Sequence, residues 1–138
     1  MRRDPQLIQL SREHHAALRL AKQLLEVQSP PAAEALAAVA RESAGLLSHF
    51  EQEERELLPQ LLNYGEAQLA ARLQDEHRQM RALLQADDAA SLKLLGVLLG
   101  GHIRFEEREL FETLQRHWAQ QGGAAATASN AACAGSTG

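Results

Sequence analysis

One segment of this chain occurs twice, and the repeat limits what the chain can fold into. Residues 49–57, HFEQEEREL, align without gaps on residues 102–110, HIRFEEREL. A shorter match relates Glu13-His14 to Glu76-His77. The chain is therefore predicted to consist of two helical hairpins, each with a Glu-His pair followed by His-x-x-x-Glu-Glu.

The spacing within the repeat is typical of a metal site. Residues four apart on an α-helix share one face, so a histidine and a glutamate at this spacing can hold one ion, and the carboxylate can bridge to a second. The predicted ligands, including one histidine from each Glu-His pair, are His14, His49, Glu53, His77, His102 and Glu106. Bridging carboxylates with six-coordination favour iron or manganese, although imidazole also suits zinc.

A single His-x-x-x-Glu pair is usually an ordinary feature of a helix surface. Two observations favour metal binding here: the pair is duplicated, and each predicted helix carries a histidine of the set. The second copy also lies within the apolar stripe that includes Leu95, Leu99 and Leu110. A buried charge without a partner is costly, and a bound cation would remove that cost.

The first helix offers two neighbouring histidines. At about 100° per residue, its leucines centre close to His14, while His15 points roughly a third of a turn away. His14 also matches His77 in the internal repeat. We therefore predict His14 as the ligand and interpret His15 as a group that orients a ligand or replaces it.

The glutamates beside the predicted ligands are interpreted by their position around the helix. Glu54 and Glu107 lie about 100° beyond the predicted bridging carboxylates, so they are expected to pair with arginines near Arg55 or Arg108 or to orient ligands from outside. Glu13 and Glu76 could orient ligands too, but solvated charges are the preferred interpretation.

Apolar residues recur at helical spacing almost throughout the chain and predict four helices. They span about 5–28, from just after Pro30-Pro31 to about 61, about 66–86 and about 89–120. Pro59 is expected to kink or end the second helix, and Gly100-Gly101 predicts a close approach to another helix within the fourth. The fold class is all-α, an up-down-up-down antiparallel four-helix bundle over 1–121, with a disordered Gly/Ala-rich tail over 122–138.

Composition excludes several classes of function. Leu and Ala dominate the apolar residues, aromatic residues make up only 4%, and the net charge is −4, so no basic surface is expected to bind nucleic acid or a membrane. The N-terminus has no apolar signal segment, and a cytoplasmic location is predicted. Cys133 is the single cysteine, which excludes a thiolate cage and leaves nitrogen and oxygen ligands.

These features together resemble the hemerythrin-like, or HHE cation-binding, family over about residues 5–120. The matching segments are Leu10-x-x-Glu13-His14, His49-Phe50-x-x-Glu53-Glu54 with Leu58-Pro59, Glu76-His77, and His102-x-x-x-Glu106-Glu107 with Leu110-Phe111. The resemblance implies a four-helix bundle with two iron ions, bridged by two carboxylates and an oxo or hydroxo group. Zinc or manganese could substitute for iron.

The resemblance also implies a range of functions and shows one departure. It implies binding or sensing of oxygen or a related diatomic or peroxide; the alternatives are a redox enzyme acting on nitric oxide or peroxide, an iron store, and a helical interaction module. A sensor would need a separate protein partner. Oxygen carriers of the family have a second histidine one turn before the position of His77, where this chain has Leu73. Water, Glu54 or Glu107, Tyr64 and His15 are the candidates to fill that position.

Overall fold

The computed structural model describes the backbone of residues 2–128 and the side chains of residues 2–122. The helices are α1 (Pro5–Leu25), α2 (Ala33–Glu56), α3 (Leu58–Asn63), α4 (Ala67–Leu83), α5 (Ala89–Phe105) and α6 (Phe111–Ala128), and a π-helical segment, Glu106–Leu110, joins the last two. α1 packs against α2 and α5, and α4 packs against the same two helices. The predicted all-α four-helix bundle is confirmed, with α2–α3 and α5–α6 each acting as one long, interrupted helix.

The ends of the helices follow local sequence signals. Asp4 caps α1 by accepting a hydrogen bond from the backbone N–H of Gln6, and Asp88 caps α5 by accepting one from the N–H of Ser91. The predicted interruption at Pro59 is confirmed, because α2 ends at Glu56 and Pro59 lies in the first turn of α3. There the missing N–H of proline has no intrahelical partner to lose.

Two apolar clusters fill the bundle, and a layer of histidines and glutamates separates them. Along α1, Leu7 and Leu10 belong to one cluster, His14 follows, and Ala17 and Leu20 belong to the other. The same order recurs along α4, where Leu73 precedes His77 and Met80 follows it. The polar layer is therefore enclosed by hydrocarbon above and below, which strengthens electrostatic interactions inside it.

The close helix–helix approach lies one turn earlier than the sequence predicted. A Cβ on Gly96 would come within 2.9 Å of the backbone oxygen of Ala21, so α1 and α5 touch at this glycine. The prediction that Gly100 and Gly101 serve this purpose was wrong. A Cβ at either position would meet only the Arg104 side chain, at 3.5 Å or more.

The end of the chain is described only in part. Helix α6 continues to Ala128, past the predicted boundary at 121. Residues 129–138 lie outside the described residues, so the tail predicted there, with Cys133, stays a prediction. Within the part of the chain that the structure describes, no helix is both long and apolar enough to cross a membrane.

Candidate metal centre

The structure brings the six predicted ligand side chains together at the middle of the bundle. They come from every long helix: His14 from α1, His49 and Glu53 from α2, His77 from α4, His102 from α5, and Glu106 from the start of the π-helical segment. All six are buried, with at most 6% of any residue exposed. His15 is exposed to solvent and His14 is buried, so His14 is the inward-facing histidine of the two, and its role as a ligand stays a prediction.

The six side chains form two overlapping groups of four. The first half-site consists of His14, His49, Glu53 and Glu106, and the second consists of His77, His102 and the same two glutamates. Within each group, one ligand atom from every residue lies within 4.8 Å of the others. Each half-site thus takes both histidines from one hairpin, and the two carboxylates are shared by both half-sites.

Four buried atoms in this layer have no hydrogen-bond partner among the described residues: His49 Nε2, Glu53 Oε2, His102 Nε2 and Glu106 Oε2. They nevertheless lie close in pairs, since His49 Nε2 is 2.9 Å from Glu53 Oε2 and His102 Nε2 is 3.0 Å from Glu106 Oε2. Each unpaired buried polar atom costs roughly 1–3 kcal/mol. Because the atoms converge without hydrogen-bond geometry, the donor set fits a cation between them.

The other nitrogen of every predicted ligand histidine faces a second carboxylate. The Nδ1 atoms of His14, His49, His77 and His102 lie 2.7 Å from oxygens of Glu107, Glu13, Glu54 and Glu76, respectively. An Nδ1–H that donates to a carboxylate fixes the ring and leaves Nε2 free for a metal. The interpretation of Glu13 and Glu76 as solvated charges was wrong, because both orient a predicted ligand.

These four outer carboxylates connect the two hairpins. Glu13 and Glu76 each hold the second histidine of their own hairpin, His49 and His102. Glu107 instead reaches across to His14, and Glu54 reaches across to the histidine of α4. Of the two roles that the sequence left open for Glu54 and Glu107, the structure shows that of orienting ligands.

Arginines pair with three of the outer carboxylates. Arg81 donates to both oxygens of Glu54 at 2.8 and 2.9 Å, Arg72 donates to Glu76 at 2.7 Å, and Arg3 donates to Glu107 at 3.1 Å. The expected partners near Arg55 and Arg108 are not the ones observed.

The fourth outer carboxylate differs. Gln9 donates to Glu13 at 3.1 Å, and no arginine pairs with Glu13 among residues 2–122.

The charges in the layer shift the pKa values of its groups. Burial lowers the pKa of His49, but the carboxylates of Glu106 and Glu53 outweigh burial and raise this pKa to about 11. The pKa of His102 is raised to about 10 against burial, mainly by Glu106. Burial and the charge of Glu106 raise the pKa of Glu53. Without a metal, protonated imidazoles therefore balance the carboxylates, and metal binding has to displace those protons.

A cavity of about 270 Å³ leads to this layer from the side of the bundle. Its walls come from α1, α2 and α5 and include the predicted ligand histidines His14, His49 and His102. Glu13 and Glu42 supply acidic groups, while the remaining wall is mostly apolar. The first half-site is thus connected to solvent by a space larger than the ~10–15 Å³ that one water molecule needs.

The side chains proposed to replace the missing histidine at position 73 lie outside the two groups of four. Leu73 is fully buried in the apolar cluster next to the second half-site. The Tyr64 hydroxyl donates to Gln121, and its ring stacks on that of His117, whose Nε2 lies 2.9 Å from Glu66. Neither the tyrosine nor any of the other three side chains proposed for this position belongs to the two groups of four. Each half-site therefore has two imidazoles.

The comparison with protein families found one match. The family described as Hemerythrin HHE cation binding domain matches residues 7–114, which include all six predicted ligands and all four outer carboxylates. Comparisons with curated proteins and with solved structures found no match. The site's geometry and the family model thus converge on the same part of the chain.

Proposed function

Because the chain belongs to the Hemerythrin HHE cation binding domain family, we propose that its buried site holds two iron ions and binds or senses oxygen or a related small oxidant. One observation carries the proposal: two four-residue groups share Glu53 and Glu106. Carboxylates shared in this way would hold both ions, which supports the proposal. The proposed ligands are the six residues of these groups.

The donor set supports iron more than most other metals. Each half-site offers two imidazole nitrogens and up to two carboxylate oxygens, which leaves positions open on a six-coordinate ion. Mixed nitrogen and oxygen donors with six-coordination are typical of iron and manganese. Zinc binds such donors more tightly than iron(II) does, so protein made with excess zinc should contain mixed metals.

The protein's own side chains would prepare the site. Glu107, Glu13, Glu54 and Glu76 hold the imidazoles so that each Nε2 points inward. The apolar clusters on both sides limit the access of water, and the cavity admits small molecules to the first half-site. When bound, two iron(II) ions would supply one electron each to an oxidant.

A redox enzyme acting on peroxide or nitric oxide is the second candidate. The size of the cavity favours it, because about 270 Å³ is more space than a diatomic molecule occupies. A carrier or sensor would release its ligand unchanged, whereas an enzyme would convert it.

The experiment is anaerobic reconstitution with iron(II), followed by metal analysis and by optical spectra during exposure to oxygen, peroxide and nitric oxide. We expect two iron ions per chain and a spectrum that changes with at least one oxidant. The variant Glu109→Ala should bind iron as the wild type does, because this glutamate belongs to the same repeat but is exposed. Zinc alone after reconstitution, or at most one tightly held ion, would contradict the proposal.

A further inference from the structure

The two hairpins differ at the residue that lies four positions before the outer carboxylate of their first helix. Gln9 and Arg72 both lie four residues before an outer carboxylate, and each donates to it. The neutral Gln9 adds no positive charge beside Glu13, whose charged partner is His49, whereas Glu76 pairs with Arg72 in addition to His102. Glu13 also has the most exposed side chain of the four outer carboxylates, at 38%.

This carboxylate, which has no arginine partner among residues 2–122, lies at the wall of the cavity. Glu13 and Glu42 both line it, and within residues 2–122 the ion pair of Glu42 is with its exposed neighbour Arg41, at 3.7 Å. Two of the four buried atoms without a hydrogen-bond partner belong to His49 and His102, which line the same cavity. An acidic entrance that ends at buried imidazole Nε2 atoms without a hydrogen-bond partner has the order of groups that a cation would meet on its way in.

We infer that the cavity between α1 and α2 is the route by which divalent cations enter the proposed metal site, with Glu13 and Glu42 attracting them and His49 binding them first. The inference rests on the proposed metal site. A negative charge at an entrance raises the local concentration of cations and their association rate. On the side of the second half-site, arginines compensate Glu54 and Glu76, and the cavity that Glu54 lines is also lined by Arg78 and Arg81.

Gly45 offers a way to close this route without changing a ligand. It lines the cavity and is exposed, and a Cβ there would meet no atom within 4 Å. Its helical position tolerates a larger residue, since glycine within a helix is less stable than most alternatives. Gly45→Phe should therefore fold and narrow the entrance, and Gly45→Ala is its control.

The experiment follows cobalt(II) binding to the metal-free full-length chain by stopped-flow absorbance and measures the metal bound at equilibrium. Gly45→Phe should slow association about tenfold or more, because entry then requires an opening motion. Its final metal content should equal that of Gly45→Ala and of the wild type. Association at the wild-type rate would overturn the inference.

Charge is tested with a matched pair of variants. Glu13→Gln and Glu76→Gln both remove a charge and keep an oxygen that can accept from the ligand histidine. Glu13→Gln should slow association more than Glu76→Gln does, by about three- to tenfold at low salt, and Gln9→Arg should slow it in the same way as Glu13→Gln. Equal slowing by both glutamine variants would show that these carboxylates only orient ligands, and the route would be wrong.

The failure of the route and the failure of the site are distinguishable. If the wild type binds no cobalt at equilibrium, the proposed metal site itself is wrong. If it binds cobalt but all the entrance variants associate as fast as the wild type does, only the route is wrong.

Discussion

The two hairpins of the bundle carry the same ligand pattern in different surroundings. Each provides two histidines, one shared glutamate and two outer glutamates. Helices α1 and α5 are in close contact, because Gly96 lies against the backbone of Ala21. The cavity, in contrast, opens between α1 and α2. A duplicated sequence thus specifies equal ligands, while access is set by residues outside the repeat.

The hairpins also differ just beyond their shared glutamates. After Glu53, α2 ends and α3 begins with Pro59 in its first turn, whereas the residues from Glu106 onward form a π-helical segment. The π-helical segment spans the last five residues of the second copy of the repeat, whereas α2 ends at Glu56, near the end of the first copy. π-helical segments occur frequently at functional sites, which agrees with the position of this one.

The largest expected effect comes from removing a carboxylate that both half-sites share. Glu106→Ala should abolish tight binding of both ions, because Glu106 belongs to both groups. It should also destabilise the metal-free protein by about 3–5 kcal/mol, since His102 loses its buried counter-charge. Metal analysis and chemical denaturation test this. Retention of two ions would show that Glu106 is not a bridge, and Glu53→Ala should reproduce the loss.

Variants of single histidines separate the half-sites. His77→Ala should remove one ion and leave the first half-site occupied, and His14→Ala should do the opposite. Each histidine belongs to one group only. Metal titration with cobalt(II) would show one remaining site in either variant. If each variant loses both ions, the half-sites bind metal only as a pair.

Replacing Glu54 or Glu107 should have a smaller effect, and the affected histidine lies in the other hairpin. Glu54→Ala should weaken metal binding at the second half-site by about 10–100-fold, because it frees the ring of His77. Glu107→Ala should weaken the first half-site to a similar degree through His14. Competition with a chelator measures both affinities. An effect of either variant on the opposite half-site alone would contradict the assignment.

The pH dependence of the metal-free protein tests the same contacts. Burial raises the pKa of Glu107, but His14, Ser11 and Arg3 outweigh it and lower the pKa from its ordinary 4.5 to about 2. The group therefore stabilises the fold above pH 4.5, and this stability is lost as the pH falls toward 2. Unfolding free energies measured over that range should fall less steeply in Glu107→Gln than in the wild type. Equal slopes would contradict the shift.

The smallest expected effects come from adding a Cβ at the α1–α5 contact and at the wall of the cavity. Gly96→Ala should destabilise the fold by about 1–3 kcal/mol, since the new Cβ would press on the backbone of α1. Gly45→Ala should instead stabilise it by up to about 1 kcal/mol, because the space is open and alanine favours a helix. Thermal unfolding of the metal-free variants measures both. A gain in stability for Gly96→Ala would show that α1 and α5 can move apart enough to accommodate the added Cβ.

Much of the site was predictable because its information is local. Residues four apart on a helix must share a face, so the sequence alone determined that His49 and Glu53 lie on one face, as do His102 and Glu106. The apolar periodicity likewise determined the helices and the inward position of His14. The duplication predicted two equivalent halves, and the structure has them.

The tertiary structure decided what depends on contacts between distant segments. Glu107 meets His14 across 93 positions of the chain, and no periodicity within one helix specifies such a contact. The roles of Glu13 and Glu76 were missed for the same reason, although their place beside a repeated histidine was a signal. The cavity and the close contact at Gly96 depend on the distances between helices. Side-chain volumes across the whole bundle determine those distances together.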